Sequence, residues 1–148
     1  MKALIQRVSH AKVEIDDRIS GEIGQGLLVL LGIAHEDSEK DIDWLVNKLV
    51  KLRIFTDADG KMNLSVADVG GDILVVSQFT LHADTKKGTR PSYIKAARPE
   101  VAIPLYELFL QKLRAAFSGQ VATGEFGAMM QVSLLNDGPV TIMLDTES

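Results

Sequence analysis

Hydrophobic and polar positions alternate with two different periods along this chain. The period of two dominates both ends. Lys2 to Val8 is rich in β-forming residues, and Ala11, Val13 and Ile15 then alternate with Lys12, Glu14 and Asp16. Asp16-Asp17 has turn character, so Arg18 to Ile23 is expected to return as a hairpin partner. From Gly26 to Ile33 the chain is continuously apolar, which suits a strand buried on both faces. The helical period follows. Ile42, Leu45, Val46, Leu49 and Leu52 fall on one face, and Ser38 with Asp41 three residues on forms a rough capping box. That helix is expected to end near Arg53. Asp57 to Lys61 is turn chemistry and lacks the glutamate of a calcium loop.

Gly70-Gly71 opens a second apolar strand, expected over Ile73 to Leu81, and residues 82–98 read as a loop. A second helix runs to about Phe117 with Leu105, Leu108, Phe109, Leu113, Ala116 and Phe117 as its stripe, and Gly119 stops it. Pro99 suits a first turn, whereas Pro104 does not suit a helix interior, so the regular helix is expected to begin only there. The remainder reads as strands: Val121 to Glu125, Met129 to Leu135, a turn at Asn136-Asp137-Gly138-Pro139, and Val140 to Leu144. Strand-rich ends enclosing two helices predict one α+β domain over residues 1–148, with a curved, barrel-like sheet.

Composition narrows the function classes. Apolar residues at 46% and charged residues at 24% exclude a disordered chain. The lack of cysteine removes disulfides, thiolate nucleophiles, cysteine zinc sites and iron–sulfur clusters. Gln6 and Arg7 interrupt the apolar run that a secretory signal needs, and Leu27 to Leu31 is too short to cross a bilayer, so a cytoplasmic protein away from membranes is expected. A net charge of −4 argues against coating nucleic acid, but not against gripping one end of it. Thr85 to Arg98 contains no acidic residue and carries Lys86, Lys87, Arg90, Lys95 and Arg98.

Candidate chemistry is sparse. His10, His35 and His82 lack metal-ligand spacing and read as surface or loop histidines; neither metal nor cofactor is expected. Ser77, His82 and Asp84 assemble a triad on paper, but no nucleophile elbow surrounds Ser77. If the strand continues, Ser77, Phe79 and Leu81 share one face and Gln78 and Thr80 the other. Such a polar strand end either serves a site or ties down neighbouring loops. Gly138-Pro139 belongs at a strand start or edge, and its isomer is open from sequence.

Ser77-Gln78-Phe79-Thr80-Leu81 and Asn136-Asp137-Gly138-Pro139-Val140-Thr141 together resemble the paired signatures of the D-aminoacyl-tRNA deacylases, also called D-tyrosyl-tRNA deacylases. The resemblance covers nearly the whole chain, including Ile5-Gln6-Arg7-Val8, Gly21-Glu22-Ile23-Gly24, Arg53-Ile54-Phe55 and Lys61-Met62-Asn63-Leu64. Arg90-Pro91-Ser92-Tyr93 is similar to a family segment that more often ends in phenylalanine.

The resemblance implies a cofactor-free homodimer that cleaves D-aminoacyl esters, and glycyl esters, from the terminal ribose of tRNA. It implies a catalytic segment of Ser77, Gln78, Phe79 and Thr80, with the backbone N–H groups of Phe79 and Thr80 as oxyanion donors and Gln78 orienting the substrate. Thr80 is a covalent nucleophile in one reading and a hydrogen-bonding wall in the other; the motif holds no general base, which favours the wall. Gly138 and Pro139 would form a chiral filter, in cis, reaching into the partner's pocket, with Arg7 bracing the partner's Gly-Pro. Phe126 resembles the aromatic that stacks on the terminal adenine, against the plainer reading of core packing. The basic stretch either touches acceptor-stem phosphates or is a solvated loop. Three rivals stand beside this: a non-catalytic nucleotide- or tRNA-binding module, an esterase or amidase using Thr80 or Ser77, and a paralogue with a trans Gly-Pro and relaxed chirality.

Overall fold

The N-terminal alternation forms one long strand, β1 (Lys2–Ile15), in a computed structural model that describes residues 1–147. Asp16 and Asp17 both take positive φ, 50° and 64°, and turn the chain into β2 (Arg18–Ile23), antiparallel to the second half of β1. Positive φ at both central residues matches the right-handed twist of a two-residue hairpin. The apolar run becomes β3 (Gly26–Gly32), antiparallel to the first half of β1 and almost wholly buried. The helix expected next is α1 (Glu39–Lys51), where the Ser38 N–H donates to Asp41 at 2.8 Å. A short hairpin, β4 (Phe55–Thr56) and β5 (Met62–Leu64), follows. Its turn is tied by Asp57, whose carboxylate accepts the N–H groups of Asp59 and Lys61 at 2.9 and 3.0 Å.

β6 (Asp72–Ser77) lies parallel to β3, and β7 (Val121–Thr123) parallel to β6. The long β8 (Gln131–Asp145) runs antiparallel along the other side of β1. The sheet order is β2-β1-β3-β6-β7, with β8 on β1. The sheet curls until β2 meets β7. There the Ser20 hydroxyl donates to the Thr123 carbonyl at 3.0 Å, and a Cβ on Gly21 would lie 2.6 Å from that same oxygen. Only glycine permits this approach. The result is the nearly closed, barrel-like α+β fold expected from the element order.

Helices α1 and α2 (Pro99–Ala116) pack on one face of the sheet. Ile42, Leu45 and Leu49 meet Phe109 and Leu113 there, over Ile5, Val29 and Val75. The inner face gathers Val13, Leu28, Leu74 and Val76, flanked by Met130, Val132 and Leu134. Burying each large aliphatic side chain stabilises the fold by about 1.5–3 kcal/mol. Among the described residues no helix is long and apolar enough to cross a membrane.

The structure departs from the sequence reading in five places. β6 stops at Ser77, and Phe79–His82 form a 3₁₀ turn, so the strand alternation does not extend to Leu81. The last ladder bond is the Gln78 N–H to the Leu31 carbonyl, at 2.7 Å. Beyond it the turn folds over Gly32, where a Cβ would meet Gln78 O at 3.0 Å and His82 Cδ2 at 3.2 Å. That folding buries His82, which is only 7% exposed and not a surface histidine. Pro104 lies inside α2 near its start; the carbonyl it leaves unpaired belongs to exposed Glu100, which water can serve. The inner face of α2 includes Tyr106 and Leu110, while Ala116 is exposed. Finally, Asn136–Pro139 is no hairpin turn: β8 continues through it with shifts of register.

Candidate active site

The carboxyl ends of the parallel strands β3 and β6 open into a cleft of about 460 Å³. Crevices beyond the carboxyl ends of parallel strands are common ligand sites. Leu31, Ile33 and Val76 form the apolar back. Ser77 to Thr80 form one side, and Phe126 to Met130 the other. The 3₁₀ turn controls the polar side. Gln78 Nε2 donates to Thr80 Oγ1, which fixes both side chains. The N–H groups of Phe79 and Thr80, at the start of the turn, have no partner among the described residues. Orphan N–H groups of this kind attract negative charge on an oxygen.

No hydrogen bond joins Ser77, His82 and Asp84. The Asp84 backbone bridges to Ser92, and its carboxylate accepts the Lys86 N–H at 3.0 Å. His82 Nε2 is buried without a partner, outside the cleft lining. No carboxylate or imidazole is hydrogen-bonded to Thr80 among the described residues. Phe126 is half-buried. Its ring lies 5.6 Å from the Tyr106 ring, tilted by 56°, while it also lines the cleft. The ring contact with Tyr106 is the packing that the plainer reading of Phe126 expected. Burial, with Glu107 adding to it, pushes the Tyr106 phenol up to about 12.

Arg7 and Gly138-Pro139 form a second cluster. Gln6 pairs with Thr141 and Val8 with Asn136, so Arg7 alone faces the whole segment Asp137–Val140, which bows out of the sheet. The Gly138-Pro139 peptide is cis, and both residues are exposed. Arg7 is only 8% exposed. Its Nε donates to the Asp137 carbonyl at 3.0 Å and lies 3.3 Å from the Asp137 carboxylate; its Nη1 donates to the Ile54 carbonyl at 2.7 Å. Asn136 Nδ2 donates to the carbonyls of Arg7 and Val140, at 3.0 and 3.1 Å. Arg7 thus holds the residue that leads into the Gly-Pro of its own chain.

The two clusters stay apart within one chain. Neither Gly138 nor Pro139 lines the cleft. Arg7 stands opposite Leu27 in β3, and Ser77 stands opposite Leu31, four residues further along. That separation is about 13 Å along the strands. Sequence reasoning missed the wall at Ala128 to Met130 and the role of Asn136. The asparagine side chain in a turn-like tetrapeptide was the available signal for the latter.

Bare N–H donors beside an apolar cleft are the equipment of a hydrolase acting on an activated ester, where charge develops on a carbonyl oxygen. Comparison with known proteins sharpens that class. The family model described as D-Tyr-tRNA(Tyr) deacylase matches residues 4–145. The chain is 62% identical over 146 residues to the D-aminoacyl-tRNA deacylase of Akkermansia muciniphila, covering 99% of this chain and 97% of that one. It is 57% identical over 148 residues to the enzyme of the same name from Bacteroides thetaiotaomicron, covering 100% and 99%. Among solved structures, a c-Myc DNA unwinding element binding protein superposes with a TM-score of 0.94 at 43% identity, covering 99% of both chains. A probable eukaryotic D-amino acid tRNA deacylase shares the fold, with a TM-score of 0.83 at 18% identity. The chain belongs to the D-Tyr-tRNA(Tyr) deacylase family and is a hydrolase of D-aminoacyl-tRNA.

Proposed function

We propose that the hydrolytic site is completed by two copies of this chain, the cleft of one receiving the Gly138-Pro139 segment of the other. The observation that carries this is the separation of the two clusters. Each is tied down by hydrogen bonds, yet the Gly-Pro segment is exposed and does not line its own cleft. Arg7 then acts as a positioning residue that presents the segment to the partner.

In this reading the terminal adenosine of an aminoacyl-tRNA lies against Phe126 and the amino acid points into the cleft. Water attacks the ester carbonyl carbon, and the carbonyl π electrons move onto its oxygen. The N–H groups of Phe79 and Thr80 stabilise that oxyanion; one such donor contributes about 2.7–4 kcal/mol. The RNA's own 2′-hydroxyl assists the water. As the tetrahedral intermediate collapses, the ribose oxygen leaves and takes a proton, releasing free amino acid and tRNA. Ser77 and Gln78 orient the ester, and Thr80 is a wall fixed by Gln78.

Chirality follows from exclusion. The carbonyl oxygens of Gly138 and Pro139 face the α-carbon and leave no room for an L side chain, whereas a glycyl ester has none to exclude. Discrimination by a built-in clash needs no contact specific to any one D side chain. The enzyme would thus act as a cytoplasmic proofreader of charged tRNA. The test is deacylation of D-tyrosyl-tRNA and L-tyrosyl-tRNA side by side. Loss of the D ester with the L ester spared is the expected result. Equal loss of both would sink the filter, and tRNA binding without cleavage of either would favour a binding module, the kind of role named for the 43% identical relative.

A further inference from the structure

The cleft does not end at Phe79. The Phe79 ring is 55% exposed at the cleft's edge, and the Tyr93 ring meets it edge-on, with centroids 5.0 Å apart and planes at 76°. Tyr93 is 39% exposed and lies outside the cleft lining. Two neighbouring aromatics with this much free surface stand out on a chain with only 5% aromatic residues, half of which are buried. Their backbone is fixed. Asp84 and Ser92 exchange both N–H bonds, at 2.8 and 2.9 Å, and the Ala96 N–H closes a turn onto the Tyr93 carbonyl at 3.0 Å.

The surroundings select the ligand. Lys86, Lys87, Arg90, Lys95 and Arg98 form no ion pair among the described residues; of the acids that flank them in sequence, Asp84 is engaged by the Lys86 N–H and Glu100 lies in the first turn of α2. Free cations beside exposed aromatic faces are how proteins hold single-stranded nucleic acid: the rings stack on bases and the cations meet phosphates. A hydrophobic peptide would leave those cations without partners.

We infer that Phe79 and Tyr93 form a stacking subsite for the nucleotide preceding the terminal adenosine, with the Lys86–Arg98 segment on its phosphates. This rests on the proposed reaction, because the RNA must enter the cleft by its 3′ end. It adds a binding site outside the reacting atoms. The 3′ strand then leaves the cleft over Phe79, toward Tyr93 and the basic segment that carries it.

The experiment compares two short substrates, D-tyrosyl-adenosine and the D-tyrosyl ester of cytidylyl-adenosine, with wild type, Tyr93→Ala and Tyr93→Phe. Wild type is expected to favour the dinucleotide ester about tenfold in kcat/KM, in line with the stacking of one base. Tyr93→Ala should abolish that preference and leave D-tyrosyl-adenosine unaffected, and Tyr93→Phe should retain it. An equal loss on both substrates would overturn the inference, since Tyr93 would then only support Phe79. So would a shift in subunit association of Tyr93→Ala by sedimentation, which would mean that a second copy covers the ring. If wild type cleaves D-tyrosyl-tRNA but treats the two short esters alike, this subsite alone is refuted. If it cleaves none of the three, the reaction itself is wrong and the subsite falls with it.

Discussion

Gly138→Ala is expected to lower the ratio of D- to L-tyrosyl-tRNA cleavage by tenfold or more, chiefly by admitting the L ester. Gly138 has a φ of +144°, which L side chains rarely adopt. A Cβ there would lie 2.7 Å from both the Val140 nitrogen and its Cγ2, and 3.2 Å from Arg7 Nη2. The segment has to move, and with it the carbonyl oxygens assigned to the clash. Because Gly138 is exposed and Arg7 still holds Asp137, the loss of stability should be limited to about 1–3 kcal/mol. Rates on both esters, with a melting curve, check this. An unchanged ratio in a folded variant would remove Gly138 from the filter.

The second large effect falls on the oxyanion donors. Phe79→Pro deletes one backbone N–H, and kcat on D-tyrosyl-tRNA should drop by about 10²–10³. The substitution is tolerable because Phe79 opens the 3₁₀ turn, its N–H has no internal partner, and Gln78 before it, at φ −145° and ψ 80°, lies outside the helical region that a following proline disfavours. Phe79→Leu keeps the N–H and loses the ring, so its kcat should remain within about tenfold of wild type. Equal losses in the two variants would place the catalytic contribution in the ring and not in the backbone donor.

Much of this fold is written in periodicity. The alternation of β1, the apolar run of β3 and the i, i+3, i+4 face of α1 each specify one burial pattern, and each formed. The double-aspartate turn formed for the same local reason. Errors arose where a distant contact overrides local preference. β6 ends at Ser77 because the following turn can fold over Gly32, a glycine in another strand. His82 is buried by that same event, and no local signal in residues 82–98 announces it. Pro104 is accommodated because the bond it costs would have ended on a solvent-facing carbonyl.

The candidate site was legible as two motifs; only the resemblance, and nothing in the residues themselves, implied that the two belong to different places. Ser77-Gln78-Phe79-Thr80 and Gly138-Pro139 stand out because each is polar or proline-bearing where a strand is expected. Their separation depends on the register of β8 against β1, where Arg7 alone spans Asp137–Val140. Register of that kind is set by pairing across the sheet and has no signature in either strand alone. The direction of Arg7's bonds, into its own chain, is likewise a product of the bowed segment and of the Ile54 carbonyl beyond it.

Subunit mixing tests the shared site most directly. Gly138→Ala subunits carry an intact cleft and a displaced filter; Phe79→Pro subunits carry a sound filter and a disabled cleft. Titrating excess Phe79→Pro subunits into Gly138→Ala enzyme, under exchange conditions, should restore the wild-type ratio of D- to L-tyrosyl-tRNA cleavage, because each working cleft then receives an intact Gly-Pro from its partner. A ratio that stays at the Gly138→Ala value at every mixing proportion, with exchange verified, would contradict a site built from two chains.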